Sequence, residues 1–400
     1  MRPSLLALAL LAGLLAWIPV GRGAAPPATP PAARPAAPSP GGGVAEGAER
    51  PSAPETVPST ATTLFPRGLP VDVGAVPAGL ASHSATGCAA CHAAAHDSWR
   101  TGLHADTGRA RAHREAVARA NQSTACGACH LPLTAQHAEL AAGYVDGAVS
   151  RPNLQPNPAF DATLLDEGVT CAACHVRDGT VLGTREITGA PHPVRASAAL
   201  SDGVSVCAAC HQLAWPGADR ALYDTVGEWR TSGWAAAGVT CVDCHAPPAG
   251  AQHPGDGGGP RDHALRAPIA RALTTLVRTP GAVVRRGQPF RVDLVVQNTG
   301  AGHAWPTGSP WESGRVEVRL LDSKGKEAVP AWTIPFARTV LDAAPWTTTA
   351  DTRLPPGGQR AAGHAFTVPV KALPGEVTLE VRAVRGDTTA VLRRIPLTLR

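Results

Sequence analysis

The stretch Cys88-Ala-Ala-Cys91-His92 decides the fold, because its pattern returns four more times along the chain. Each copy has two cysteines three positions apart and a histidine directly after the second. Together the copies use every cysteine of the 400 residues, so they predict five sites of one kind. The other copies are Cys126-Gly-Ala-Cys129-His130, Cys171-Ala-Ala-Cys174-His175, Cys207-Ala-Ala-Cys210-His211 and Cys241-Val-Asp-Cys244-His245.

Paired thiols at this spacing, with an adjoining imidazole, have the chemistry that attaches haem. The two thiols lie on one turn and add to the two vinyl groups of one porphyrin, and the histidine then binds the iron. Cysteine pairs also bind zinc, and cysteines of exported proteins form disulfides, but neither alternative requires the histidine. The sequence therefore predicts five covalently bound c-type haems, with iron ligands His92, His130, His175, His211 and His245.

The composition of the chain limits which residue types can bind the opposite side of each iron. Electron carriers usually have a histidine or methionine there, and the only methionine is Met1. The three lysines all lie near the C-terminus, at Lys324, Lys326 and Lys371. A second histidine or an open position therefore remains at each haem, and low reduction potentials are expected. Ten histidines are available: His83, His96, His104, His113, His137, His192, His253, His263, His303 and His364.

The N-terminal segment has the features of an export signal. Arg2 precedes an apolar run from Leu5 to Ile18, and small residues at 21–25 offer a cleavage site. Residues 1–24 are therefore predicted to be a signal peptide, whereas an uncleaved leader would anchor the protein to a membrane. We expect a periplasmic or extracellular location, because bacteria attach this haem outside the cytoplasm. Residues 25–65 are rich in Ala, Pro, Gly and Ser and predict a disordered linker.

Residues 275–400 contain no cysteine and follow a different pattern. Apolar residues alternate with other residues there, which predicts half-buried strands. We expect this part to be an all-β immunoglobulin-like sandwich, although a β-barrel fits the pattern too. Residues 66–270 are expected to form a mainly α and loop domain organised around five haems. The alternating apolar positions are Val292, Leu294, Val296, Val316, Val318, Leu320, Val377, Leu379 and Val381.

The net charge of +5 does not indicate a nucleic-acid partner, since the propionates of five haems would offset it. The expected partners are redox proteins or quinol-linked membrane complexes. No feature of the sequence indicates an oligomeric state.

The segment from Cys88 to His104 reads Cys-Ala-Ala-Cys-His-Ala-Ala-Ala-His-Asp-Ser-Trp-Arg-Thr-Gly-Leu-His. It resembles the multihaem cytochromes related to cytochrome c554 and hydroxylamine oxidoreductase. In that family a haem motif is followed by a tryptophan and then by a histidine, usually in Ser-x-His-Ala. Trp99, His104 and Ala105 match this pattern, with Gly102 in place of the serine. The resemblance implies that His104 is a distal haem ligand.

A second resemblance begins at Asn298-Thr-Gly-Ala-Gly-His303-Ala-Trp-Pro-Thr-Gly308. Many multihaem cytochromes carry a similar Gly-His-x-x-Pro-Thr-Gly at the start of a C-terminal β-domain. This resemblance implies that His303 reaches a haem and docks the two domains. Further distal candidates are His263, His192 and His137, followed by His83 and His113, whereas His96 and His364 are interpreted as non-ligating. A solvated loop histidine, or one bonded to a propionate, is the alternative for each candidate.

Two functions fit these motifs. The first is an electron carrier whose haems each have two histidine ligands, and it needs no substrate pocket. The second is a multihaem oxidoreductase that acts on a small nitrogen or sulfur compound at one open haem. The sequence favours the carrier, because it has histidines in surplus and no residue pattern that marks a catalytic haem. A structural or adhesive protein with incidental haems is a third reading.

Overall fold

The computed structural model describes residues 64–65, 69–107, 126–147, 151–215, 217–248, 260–341, 343 and 345–400, all within one compact unit, Glu55–Arg400. The predicted signal peptide, nearly all of the predicted linker, and the candidates His113 and His253 lie outside the described residues. In the ranges that are described, no helix combines the length and the apolar character needed to cross a bilayer.

The motif-bearing part of the chain is built on short helices. Alanine and other small residues between the cysteines let each motif form a single helical turn. In four motifs the helix ends on the motif histidine, so its side chain leaves the last turn toward the site. The α-helices are α1 Ala85–Ala89, α2 Ala93–Arg100, α3 Gly127–His130, α4 Cys171–His175, α5 Ala198–Ser201, α6 Ser205–His211, α7 Thr225–Arg230, α8 Gly233–Ala236, α9 Cys241–His245 and α10 Ile269–Ala272.

Short strands, which the sequence did not predict, accompany these helices and the loops between them. Three small sheets form, with the orders β1-β2, β3-β4-β5 and β6-β7. Strands of two or three residues carry too little alternation to be read from sequence. Single 3₁₀ turns lie at His104–Asp106, Thr134–Gln136 and Ala162–Glu167. The strands are β1 Glu139–Tyr144, β2 Pro152–Pro156, β3 Val176–Arg177, β4 Thr180–Gly183, β5 Val194–Ala196, β6 Gln212–Leu213 and β7 Tyr223–Asp224.

The C-terminal part is a sandwich of two sheets. One has the strand order β14-β10-β8 and the other β13-β12-β11-β15-β16-β9. These orders correspond to sheets A-B-E and C″-C′-C-F-G of an immunoglobulin-like sandwich. The short strand β9 adds to the second sheet by pairing in parallel with β16. The strands are β8 Leu273–Arg278, β9 Val283–Val284, β10 Pro289–Asn298, β11 Ser313–Asp322, β12 Trp332–Val340, β13 Thr348–Asp351, β14 Gln359–Thr367, β15 Gly375–Arg385 and β16 Thr388–Leu399.

The predicted alternation forms the core of this sandwich. Each alternating triplet lies on one strand, β10, β11 or β15, with its side chains buried between the two sheets. Trp305 and Phe336 pack edge to face in the same core, with ring centroids 5.5 Å apart. Burial of this apolar surface stabilises the sandwich, and the loop that follows β10 starts from this rigid base.

The sandwich packs directly on the segment between the fourth and fifth motifs. Arg338 of β12 is 3% exposed and donates to the carbonyl oxygens of Ala221 and Leu222, at 2.7 and 3.2 Å. The backbone N–H of Thr348 donates to Asp219 at 3.0 Å. These contacts fix the β10–β11 loop relative to the last two motifs.

Candidate haem sites

Four of the five motif histidines take part in ring pairs formed between described residues. In every pair the partner is a histidine distant in sequence and outside any motif. The four centroid separations fall within a narrow range. The pairs are His92–His192 at 6.4 Å, His211–His104 at 6.2 Å, His175–His263 at 6.3 Å and His245–His303 at 6.1 Å.

This separation fits a metal ion between two imidazoles. With a metal–nitrogen distance of about 2.0 Å on each side, the two ring centroids would stand about 6.3 Å apart. Ring pairs without a metal span a wider range, about 4.5–7 Å, so the close agreement of the four separations, each at a motif histidine, is what marks these pairs. Among the described residues, no group of three or more His, Cys, Asp or Glu side chains is placed to hold a metal ion by itself. A haem iron takes four ligands from its porphyrin, so two histidines are the protein ligands it requires.

Hydrogen bonds orient several of these imidazoles. The Nδ1 atoms of His175, His263 and His303 lie 2.8, 2.9 and 3.0 Å from backbone carbonyl oxygens. A carbonyl only accepts, so Nδ1 carries the proton and Nε2 keeps its lone pair for a metal. The Nδ1 atom of His192 is buried and has no hydrogen-bond partner in the described chain. The donor set therefore fits iron ligation.

Burial keeps two of the paired imidazoles, His211 and His303, neutral, as metal ligation requires. Desolvation lowers the pKa of His211 to about 4, and the neighbouring His104 and His245 add to the shift. Desolvation likewise lowers the pKa of His303 to about 4, against a raising effect of its hydrogen bond to the Ala304 carbonyl. At neutral pH both rings present a lone pair without first losing a proton.

The segment that carries His104 is held between three motifs. The indole of Trp99 donates to the Val169 carbonyl at 2.9 Å, and the Val169 N–H donates to the His104 carbonyl at 2.8 Å. The Thr107 hydroxyl donates to the carbonyl of His130, the second motif histidine, at 2.7 Å. Val169 lies two residues before Cys171 of the third motif, while the His104 ring faces the fourth. The indole N–H of Trp99 therefore anchors this segment to the chain just before the third motif.

Gly102, which replaces the serine of the resembling family, lies where no side chain fits. A Cβ atom there would stand 2.6 Å from the carbonyl oxygen of Ala264, next to His263. The same contact region includes the hydrogen bond from the His263 N–H to the Ser98 hydroxyl, at 2.9 Å. The departure from the family pattern thus lets the His263 segment approach the first motif closely.

The His303 loop is closed by the last residue of β10. Asn298 is fully buried, and its amide donates to the carbonyl oxygens of His303 and Leu354 at 2.8 and 3.0 Å. Its Oδ1 accepts the N–H of Ala301 at 3.1 Å. Trp305 pairs with Leu354 through both backbone hydrogen bonds, at 2.8 and 3.0 Å. The loop is therefore pre-organised before it meets His245.

Thiol contacts show which motifs are neighbours. All ten cysteines are free of disulfides. Thiols of different motifs lie close enough to shift one another's ionisation, and the neighbouring Cys171 lowers the pKa of Cys88 to about 7. The fourth motif touches two others, one through each of its thiols. The contacts are Cys88–Cys171, Cys129–Cys210 and Cys207–Cys241.

Other predicted histidines lie elsewhere. The Nε2 of His137 is 2.7 Å from the Leu131 carbonyl oxygen, and none of the four ring pairs includes this histidine, so its ligation stays a prediction. His96 packs on Trp99 with ring centroids 5.6 Å apart, and His364 stacks on Trp332 inside the sandwich at 5.4 Å. The Nε2 of His83 is buried and has no hydrogen-bond partner within the described ranges.

Comparison with solved structures assigns the architecture to a class. The chain has the fold of a multihaem c-type cytochrome. The particular similarity is to a penta-haem cytochrome c552 from Thermochromatium tepidum, with 17% identity and a TM-score of 0.53, and it covers 80% of this chain and 100% of that one. No family model matches the sequence, and no curated protein matches it.

Two further solved structures match only about a third of the chain. The alkylpurine DNA glycosylase AlkC of Pseudomonas fluorescens is 13% identical over 33% of this chain and 31% of its own, with a TM-score of 0.21. The CARDB domain of the PF1109 protein of Pyrococcus furiosus is 17% identical over 32% of this chain and 87% of its own, with a TM-score of 0.19. Neither likeness bears on function.

Proposed function

We propose that this protein is an exported pentahaem c-type cytochrome that carries electrons through haems with two histidine ligands each. The observation that carries the proposal is the set of four histidine pairs at 6.1–6.4 Å, each joining a motif histidine to a remote one. When bound, haem supplies an iron that cycles between the ferrous and ferric states. The protein's part is to attach, ligate and order the haems.

The thiol contacts support an order of sites along which electrons pass. The first site adjoins the third through Cys88 and Cys171. The second and fifth both adjoin the fourth, through Cys210 and Cys207. The third and fourth share one apolar cluster that includes Cys174 and Ala209. The fourth site is therefore a junction that joins the second, third and fifth, and the first lies at an end.

The contacts around the first and third motifs support this order. The Glu167 carboxylate accepts the N–H of Ala85 at 2.9 Å and the hydroxyl of Thr170 at 2.5 Å. Its other oxygen accepts the hydroxyl of Ser84. One buried carboxylate thus ties the start of the first motif helix to the start of the third.

Location and kinship are parts of the same proposal. The leader at residues 1–24 supports export to the periplasm, with redox proteins or quinol-linked membrane complexes as partners. Trp99 and His104 support a relation to the cytochrome c554 and hydroxylamine oxidoreductase group. Carriage is favoured over catalysis because the paired histidines leave no open position at four of the sites.

Intact mass and spin state test the proposal together. The matured chain should keep five haems through acid denaturation, and a reductive titration should take up five electrons per chain. Magnetic resonance of the ferric protein should show only low-spin iron, the state expected for two imidazole ligands. The double variant Cys126→Ala, Cys129→Ala serves as a calibration and should lose one haem.

Two results would change the conclusion. A high-spin signal from one haem in five would favour the oxidoreductase with an open haem. A colourless matured protein, or one that holds zinc in place of iron, would overturn haem attachment itself.

A further inference from the structure

We propose that Glu228 is a positioning residue that holds His303 in its ligating pose and so makes the fifth site depend on docking of the β-sandwich. This inference rests on the proposed function, in which His303 is the second ligand opposite His245. Glu228 belongs to helix α7 of the motif-bearing part and lies outside every motif. Its carboxylate reaches into the loop that follows β10.

One carboxylate oxygen of Glu228 makes the decisive contacts. Its Oε2 accepts the backbone N–H of Ala304 at 3.0 Å and the hydroxyl of Thr307 at 2.7 Å. Ala304 directly follows His303, and its carbonyl oxygen accepts the Nδ1–H of that ring at 3.0 Å. Glu228 therefore holds the N–H of Ala304, and the carbonyl of the same residue orients the His303 imidazole.

The other oxygen of Glu228 forms a buried ion pair. Its Oε1 lies 2.8 Å from a guanidinium nitrogen of Arg353, and the two side chains are 9% and 7% exposed. Arg353 in turn pairs with Asp351 through two contacts, at 2.9 and 2.8 Å. Removing one member of a buried pair leaves the other charge uncompensated, which is strongly unfavourable. The pair therefore clamps the sandwich to α7 at this one place.

Packing beside Glu228 leaves the loop little freedom to shift. A Cβ atom on Gly302 would stand 3.0 Å from Trp229 Cδ1 and 3.3 Å from Trp234 Cβ. The indole of Trp229 donates to the Val239 carbonyl at 2.9 Å, just before the fifth motif. The Trp229 side of the loop is thus fixed by packing. Loss of the Glu228 contacts would free the other side, which carries Ala304 and Thr307.

Glu228→Gln tests the inference, with spin state and potential as readouts. The variant should keep five haems by mass, yet about one haem in five should become high-spin or bind carbon monoxide. One component of the redox titration should shift to higher potential, because a buried negative charge near the site is lost. His303→Ala provides the reference spectrum for an unligated fifth site.

Two further variants keep the test decisive. Thr307→Val removes the hydroxyl that donates to Glu228 and also contacts the Thr225 hydroxyl at 3.0 Å, and it should give a smaller change of the same kind if Glu228→Gln fails to mature. Asp219→Ala loses another hydrogen bond between the sandwich and the motif-bearing part, that from the Thr348 N–H, and should leave the spectrum unchanged.

The outcomes separate the two levels of argument. If Glu228→Gln and Thr307→Val only lower the melting temperature while every haem stays low-spin, the positioning role is overturned. If His303→Ala itself leaves all haems low-spin, the assignment of His303 as a ligand fails, and the positioning role fails with it.

Discussion

His245 and His303 lie with ring centroids 6.1 Å apart and ring planes inclined by 29°. One closes the fifth motif and the other sits on a loop of the sandwich, so the relationship joins the two parts of the chain. Such a separation is the one expected for two imidazoles that share a metal ion. The β-sandwich thereby takes part in a haem site as well as packing beside it.

Replacement of a paired histidine should affect one haem alone. His192 faces His92 at 6.4 Å, so His192→Ala should leave five haems attached and turn about one in five high-spin. His364→Ala is the matched control, because the His364 ring stacks on Trp332 inside the sandwich, with centroids 5.4 Å apart. Magnetic resonance of the two ferric variants checks this, and identical spectra from both would count against the pairing.

Loss of the fourth haem should interrupt electron transfer between the remaining haems. In the double variant Cys207→Ala, Cys210→Ala, mass should show four haems, and rapid-mixing reduction should become biphasic because the junction is missing. The corresponding variant of the first motif, Cys88→Ala with Cys91→Ala, also loses one haem but removes only an end. Its remaining haems should still be reduced in one phase, and the reverse pattern would contradict the order of sites.

A methyl group at Gly302 should loosen the fifth site. The added Cβ would press on Trp229 at 3.0 Å, closer than side chains ordinarily approach. Gly302→Ala should therefore show partial high-spin character in one haem of five. Gly281→Ala is the control, since a Cβ there has no neighbour within 4 Å. Carbon monoxide binding to the reduced proteins compares the two, and equal binding would refute the prediction.

Acid should weaken the sandwich partly through Glu317. Burial acts to raise the pKa of this carboxyl, but Arg315 and Arg382 outweigh it, so the pKa lies below the ordinary value of 4.5. The carboxylate therefore stabilises the fold above that value, and the stabilisation is lost as the pH falls through the lowered pKa. Glu317→Gln should lower stability at neutral pH by on the order of 1 kcal/mol.

Denaturant unfolding at several pH values checks this prediction. The difference between the native chain and Glu317→Gln should shrink as the pH falls below 4.5 and vanish once the carboxyl of the folded protein is protonated. A difference that stays constant across that range would show that Glu317 acts through packing and not through its charge.

The sequence allowed the motifs and the sandwich to be predicted, because both depend on local patterns. Three residues fix a strand alternation such as Val292, Leu294 and Val296, and five fix a haem motif. The distal candidates His104, His192, His263 and His303 were also visible, and each lies opposite a motif histidine.

The pairing itself could not be predicted from spacing. His104 follows the first motif closely, yet its ring faces His211 of the fourth. Such contacts depend on long-range packing, for example at Gly102, whose need for space appears only once Ala264 is in place. His137 was an equally visible candidate, yet none of the four ring pairs includes it.

The position of His303 also bears on how the protein matures. All five attachment motifs precede the sandwich in the chain, so thiols can receive haem before the loop after β10 has folded. The fifth iron would then acquire its second ligand last, when the sandwich closes onto α7. The absorption spectrum of the fifth haem would therefore show whether the C-terminal part has folded and docked.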